Sequence, residues 1–276
     1  MRIGINALYW IPNAMGGTQT YFLNLTKNLV KIDTNSKFVV FLNADAAPHF
    51  NLHAPNLSVR SCPIPGRFRP LRLLWENTVL PIYASRYRLD LLHSLGYIGP
   101  PMLSIPSVVT ILDMIHYIRP GDIDVTKRVL WRLLFPLSLK CADRVLSISH
   151  SVKNDIITFF PWAESKIIPI HLAVDHDVFR PQYGGSDNEL SPPFVLAVAS
   201  LARHKNLDSL LRAFARVYHS RPDLQLVLVG MRSNAYEEMR WLARELAIES
   251  NIRFAGRVCD RELVELYRTA SVFAFP

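Results

Sequence analysis

The side chains best suited to chemistry stand where apolar runs end. The run FVLAVAS is followed by Leu201-Ala202-Arg203-His204-Lys205-Asn206 and then by a helical pattern. Arg203 and Lys205, fixed cations between a strand exit and a helix entrance, make an anion site. A diphosphate suits that union of charge and dipole. A solvated basic turn is the plainer reading of the same residues. Near the N-terminus, Pro12-Asn13-Ala14-Met15-Gly16-Gly17 leads to Thr18. Adjacent glycines let a ligand approach the backbone, and Thr18 can cap a helix whose free N–H groups attract anions. An ordinary βα turn also accounts for the pair.

Other groups give weaker signals. Gly230 closes LQLVLVG and either admits a nucleotide or turns the chain. Asp113 and His116 follow an apolar run in ILDMIHY; such a histidine is either catalytic or hydrogen-bonded locally. D-x-D spacing occurs at Asp122-Ile123-Asp124 and at Asp175-His176-Asp177. That spacing can hold a divalent cation, but loop and capping roles are favoured, and no metal is expected. The sequence contains no P-loop, H-E-x-x-H or G-x-S-x-G. It also lacks G-x-G-x-x-G, which counts against a dinucleotide-dependent oxidoreductase.

These positions need a scaffold that brings strand ends to one edge. Strands are expected at 2–8, KFVVFL, Leu57–Cys62, LDLLHS, SVVTIL, RVLSIS and KIIPIH. Helices are expected at 18–32, with Phe22, Leu25, Leu29 and Ile32 inward, around Leu71–Tyr87, across 126–140, and from Val152. The segment 181–193 is rich in Gly, Pro and Ser and reads as a linker. The alternation then resumes. FVLAVAS, LQLVLVG, NIRFAG and SVFAF are strands separated by helices over 207–220, 235–248 and 260–270. Asn206 is expected to cap the first of these, with Leu207, Leu210, Leu211, Phe214 and Val217 inward. The fold class is therefore α/β, with a domain at 1–180 and a second at 194–276. A cleft between two such units is a common ligand site.

The 276 residues are half hydrophobic, one fifth charged, and carry a net charge of +8. That balance favours anionic partners: phosphorylated small molecules, acidic lipid or nucleic acid. No aromatic-basic module supports nucleic acid. Cys62, Cys141 and Cys259 are too far apart for a zinc site or disulfide framework, so a reducing, cytoplasmic compartment is expected. The N-terminus reads as a first strand, and no run reaches the ~18 apolar residues of a membrane span. Trp131, Leu134, Phe135 and Leu139, with Arg128, Arg132 and Lys140, are candidates for a membrane-surface helix. Arg60, Arg67, Arg69 and Arg72 would add attraction for anionic lipid. A core helix and a solvated loop are the alternative.

Taken in order, the segments resemble retaining glycosyltransferase family 4. They include Gly16-Gly17, RLLWENTVLP, LDLLHSLGYIGPP, VVTILDMIHY, CADRVLSISHSVKNDI, FVLAVASLARHKNLDSLLRAF and NIRFAGRVCDRELVELYRTASVFAFP. Trp75-Glu76 and Lys205-Asn206 resemble the branch of bacterial mannosyl- and related transferases of surface polysaccharide assembly. The resemblance implies the GT-B fold, two Rossmann-like domains facing a cleft. It implies transfer of a hexose from a nucleotide diphosphate sugar to a hydroxyl acceptor with retention, needing no cofactor, and the acceptor would be a glycan or lipid-linked glycan. Gly16, Gly17, Arg203 and Lys205 would meet the donor diphosphate, Gly230 and Val258 the nucleotide, and Asp113 and His116 the reacting centre. The chain departs from the family at Ala199-Ser200, where an arginine is usual, and at Leu112, where a histidine is usual. It also ends before a usual pair of glutamates, so an incomplete second domain is expected. A catalytically inactive nucleotide-binding chain and a nucleotide-sugar isomerase share this fold and stay open.

Overall fold

A computed structural model describes residues 1–12, 14–122, 125–181 and 192–276. These divide into two compact units, Met1–Leu172 and Ala173–Pro276. The linker expected at 181–193 falls largely on 182–191, outside the described residues.

The first unit holds a seven-stranded sheet. Its strands are β1 (Arg2–Asn6), β2 (Lys37–Asn43), β3 (Leu57–Cys62), β4 (Leu91–Ser94), β5 (Ser107–Ile111), β6 (Arg144–Ser147) and β7 (Ile167–Pro169). Their order is β3-β2-β1-β4-β5-β6-β7, with parallel pairing throughout. The order reverses at β1, so the loops after β1 and β4 leave one edge in opposite directions, a usual place for a ligand. Helices α1 (Gly17–Ile32), α2 (Arg69–Thr78), α3 (Leu80–Arg86), α4 (Ile115–Ile118), α5 (Val125–Cys141) and α6 (His150–Phe159) connect the strands.

Both faces of the sheet are covered, and β2 shows how. Phe38, Val40 and Leu42 pack with Phe22 and Val30 of α1. Val39 and Phe41 pack on the other side with Leu80 and Ala84 of α3. An apolar run without alternation is what such a doubly buried strand requires.

Several helices differ from the sequence pattern. The buried stripe of α1 is Phe22, Thr26 and Val30, while Ile32 is 79% exposed. Thr26 is tolerated inside because its hydroxyl donates to Phe22 O at 2.8 Å. Gly16 is the N-cap of α1, which leaves Thr18 inside the first turn rather than capping. The pattern at Leu71–Tyr87 splits at Val79, because Pro81 opens α3 and cannot continue the preceding turn.

The second unit holds a four-stranded parallel sheet in the order β10-β9-β8-β11. The strands are β8 (Phe194–Val198), β9 (Gln225–Val229), β10 (Ile252–Gly256) and β11 (Val272–Phe273), and the helices α7 (Leu207–Tyr218), α8 (Tyr236–Glu245) and α9 (Asp260–Thr269). Ala197, Leu226 and Leu228 pack with α7 and α8, and Leu196, Val227 and Val229 with Leu266 of α9. Leu207, Leu211 and Phe214 of α7 face the core as expected, but Val217 is 49% exposed and Ala215 is buried instead.

Candidate functional site

The candidate residues of the first unit cluster at the C-terminal edge of its sheet. No packing contact requires Gly16 or Gly17. A methyl group built at either position meets no described atom within 4 Å, although the Gly16 backbone, with φ −90° and ψ −116°, lies outside the regions that side chains favour. Gly96 and Gly4 contrast with them, since a Cβ there would strike Tyr9 at 2.4 Å and Leu89 at 2.5 Å. The open space beside Gly16-Gly17 therefore invites a ligand rather than a packing explanation.

Directional bonds hold the loop before this pair. Asn43, at the end of β2, donates to Leu8 O at 2.9 Å and Trp10 O at 2.7 Å. The Trp10 indole donates to Gln19 Oε1, in the first turn of α1, at 3.1 Å. Tyr21 of α1 shares a 3.2 Å hydrogen bond with Thr110 of β5, which also meets His93 Nε2 at 2.8 Å. Burial pulls His93 down to about 4, so its ring is neutral at pH 7. The N-terminus of α1 is thus fixed to β4 and β5 through buried groups.

Asp113 and His116 lie beyond β5. Asp113 Oδ2 accepts from the Tyr97 hydroxyl at 2.7 Å, and Oδ1 accepts from Ile115 N at 3.2 Å. His116 Nδ1 stands 4.0 Å from Asp113 Oδ1. The His116 ring stacks on Trp131 at 3.8 Å, and the Tyr97 ring meets Trp131 edge-on at 5.1 Å. Burial, then the Asp113 carboxylate, raises the Tyr97 phenol well above its usual value, so it remains a donor. Tyr97 also has φ of +70°, a strained backbone for an aromatic residue at a strand exit. Tyr97 and Trp131 escape a motif search, since nothing local marks an aromatic pair that folding brings onto one histidine. The exit of β4 was the available signal for Tyr97.

That arrangement selects the core-helix alternative for α5. Trp131 stacks on His116, while Phe135 and Leu139 are buried in the core with Ile111 and Val145. This face therefore does not lie on a membrane. The outward apolar residues include Val125, Val129, Leu133 and Leu137. Among the described residues, no helix is long and apolar enough to cross a membrane.

In the second unit, Arg203–Lys205 forms a short 3₁₀ turn after β8. The Arg203 guanidinium embraces both carboxylate oxygens of Glu238 from α8. Lys205 is half-buried and has no ion-pair partner among the described residues. Asn206 adopts a left-handed φ of +52° and makes no side-chain cap. Its oxygen instead accepts from the Ser209 hydroxyl at 2.8 Å, so the expected cap is replaced by a side-chain pair.

Gly230 has a clear structural cause. A Cβ there would lie 1.9 Å from the Ala199 carbonyl oxygen, and its φ is +151°. Strands β8 and β9 leave the sheet too closely for any side chain. Val258, after β10, packs partly buried against the cluster containing Leu196 and Leu266. Of the two D-x-D tripeptides, Asp122-Ile123-Asp124 lies partly outside the described residues. In the other, Asp175 accepts from Asp177 N at 3.0 Å, a local turn.

Comparison with known proteins places this geometry. Residues 15–178 match the family described as Glycosyltransferase Family 4, and residues 184–276 the family described as Glycosyl transferases group 1. The chain is 32% identical over 103 residues to a GDP-mannose-dependent monoacylated alpha-(1-6)-phosphatidylinositol monomannoside mannosyltransferase of Corynebacterium glutamicum. That match covers 37% of this chain and 25% of the relative. A D-inositol 3-phosphate glycosyltransferase of Kribbella flavida is 24% identical over 256 residues, 86% of this chain and 59% of the relative. The chain therefore spans less than two thirds of either curated relative. The solved structure of Anabaena HepE, in complex with UDP and glucose, matches with a TM-score of 0.68 at 19% identity. It covers 100% of this chain and 74% of that one, a likeness that shows the GT-B fold.

Proposed function

This chain belongs to Glycosyltransferase Family 4, and from that premise we propose that it handles a nucleotide diphosphate sugar, whose hexose passes to a hydroxyl acceptor with retention of configuration. The observation that carries the reading is Lys205. A half-buried cation without an acidic partner among the described residues stands at a strand exit, while its neighbour Arg203 is engaged with Glu238. A diphosphate supplies the missing anion through charge-assisted hydrogen bonds.

Each unit would contribute separately. In the first, the open flank of Gly16-Gly17 admits a phosphate to the backbone at the head of α1. In the second, Lys205 takes charge that grows on the diphosphate as the bond from the sugar C1 to its oxygen breaks. The acceptor hydroxyl oxygen would form the new bond to C1 on the same face, its proton passing to the departing diphosphate. Asp113 and His116 would border the reacting sugar, with Tyr97 and Trp131 fixing their orientation. Gly230 and Val258 would flank the nucleotide. The GDP-mannose dependence in the name of the Corynebacterium relative and the UDP and glucose of the Anabaena structure support this donor class.

A glycan or lipid-linked glycan is the proposed acceptor, with the protein in the cytoplasm at the inner face of the membrane. Exposed Phe68, Leu71, Leu74 and Ile82 beside Arg67 and Arg69 support that placement. Calorimetry with GDP, UDP and ADP, each against its nucleoside, tests the reading. At least one diphosphate should bind roughly tenfold or more tightly than its nucleoside. Equal affinities throughout the panel would overturn it.

A further inference from the structure

Glu76 is 3% exposed, in the middle of the first unit's core. A buried carboxylate is expensive, and an apolar side chain of similar size in its place is often neutral or stabilising. Its partners indicate what it does. The Asn6 amide nitrogen donates to Glu76 Oε1 and to Ser94 Oγ at 3.1 Å. The Asn6 oxygen accepts from Leu8 N at 3.3 Å. Asn6 ends β1 and Ser94 ends β4, the adjacent strands from which the two loops of the site depart. Glu76 thus holds an amide that joins both strand ends to the first residues of the glycine-bearing loop.

Of the remaining neighbours, Arg72 acts on Glu76 through its charge, whereas Asn6 is the group that donates a hydrogen bond to it. Arg72, one helical turn earlier, is largely buried and remains a cation, and its Nε has no hydrogen-bond partner. The Tyr9 hydroxyl is buried and unpartnered in the same cluster, with Tyr21 the other phenol facing it. Tyr9 itself lies in the loop after β1, and its ring occupies the space a Cβ on Gly96 would need. The cluster therefore touches the exits of both β1 and β4.

We propose that Glu76 is a positioning residue, which through Asn6 fixes the path of the loop carrying Gly16 and Gly17. The fold could fill the same volume without a charge; the carboxylate sets where the loop leaves the sheet. The link to donor binding rests on the functional reading above, whereas the link to loop position does not.

The test separates the two. The variants are Glu76→Gln, which keeps an acceptor for Asn6, and the pair Arg72→Met with Glu76→Leu, which replaces the buried charges by apolar groups. Amide hydrogen exchange needs no ligand. In the double variant the amides of residues 7–17 should exchange at least roughly tenfold faster, with those of β8 and β9 unchanged and thermal stability kept. Glu76→Gln should restore most of the protection. Calorimetry with GDP and UDP should then show weaker diphosphate binding in the double variant and unchanged nucleoside binding. Unchanged exchange at residues 7–17 overturns the proposal, as does equal loosening of the whole chain, which marks Glu76 as merely structural. Should the double variant not fold, Ser94→Ala gives the same readout, since it removes one of the two acceptors that orient Asn6. Loop exchange unaltered there also counts against the proposal. If the unmodified protein binds none of GDP, UDP and ADP more tightly than its nucleoside, the functional reading falls, and the exchange result still decides the role of Glu76.

Discussion

The two sheets present the same kind of edge but hold it in different ways. At the edge of the first, buried directional bonds through Asn6, Asn43, Thr110 and His93 fix the loops. At the second, the polar contacts are exposed, the Arg203–Glu238 ion pair and the Ser209–Asn206 hydrogen bond among them, and the tight fit is backbone against backbone at Gly230. Desolvated hydrogen bonds set geometry, because a wrong position leaves a buried group unsatisfied. Exposed ion pairs are weak and can exchange partners. The first edge is built for position, and the second keeps charge available.

The sharpest way to break this contrast is at the glycines. Gly230→Ala forces a methyl group into the Ala199 carbonyl at a positive φ. It should cost roughly 4 kcal/mol, read from chemical denaturation of the second unit. A loss below about 1 kcal/mol would show that the strand exits can part.

Acid should act on the first unit next. The folded pKa of His93 lies at about 4, below its usual 6.5. Between these values the unfolded chain binds a proton that the folded chain refuses. The stability His93 contributes is therefore complete above pH 6.5 and is lost as the pH falls toward 4, by about 3 kcal/mol. Glu76, whose pKa is raised by burial, acts with the opposite sign, losing stability as pH rises. Comparison with His93→Gln isolates the histidine, and denaturation curves of the two proteins at pH 7 and pH 4.5 measure it. Parallel curves would remove His93 from the account.

At the second edge, Lys205→Ala should weaken diphosphate binding by about 1.5–3 kcal/mol, roughly ten- to a hundredfold, and leave nucleoside binding alone. Arg203→Ala should change it by about threefold at most, because the guanidinium is already engaged. Calorimetry on both variants ranks them, and a reversed order would make Arg203 the working cation. The smallest stability effect belongs to Gly16→Ala and Gly17→Ala. Gly17→Ala should stay within about 1 kcal/mol of the unmodified protein by thermal unfolding, since no described atom stands in the way, and Gly16→Ala should cost about 1–3 kcal/mol through its backbone alone. Diphosphate affinity should nevertheless fall, and unchanged affinity would return the pair to an ordinary turn.

Much of the scaffold was legible. The apolar runs predicted the strands with end errors of a residue or two, because burial on both sheet faces leaves no polar alternation to misread. Helical faces were read less well. Thr26 is buried because its hydroxyl bonds to its own helix, and Val217 is exposed while Phe214, Ala215 and Tyr218 beside it pack against the core. Neither fact is local to the sequence pattern.

The candidate site divides along the same line. Gly16-Gly17, Arg203-x-Lys205 and Asp113 with His116 are short-range features, and residue type and place after an apolar run suffice to find them. The sequence alone also determined the family and the α/β class, since both rest on the order of many segments. Only the tertiary structure separated Lys205 from Arg203, because Glu238 comes from another helix. Only it explained Gly230, whose neighbour is the backbone of an adjacent strand exit, and joined Asn6 to Glu76 across 70 positions of chain. Residue spacing reports what one element can do. Which groups are paired, enclosed or left open depends on the elements packed beside it, and that information is nonlocal.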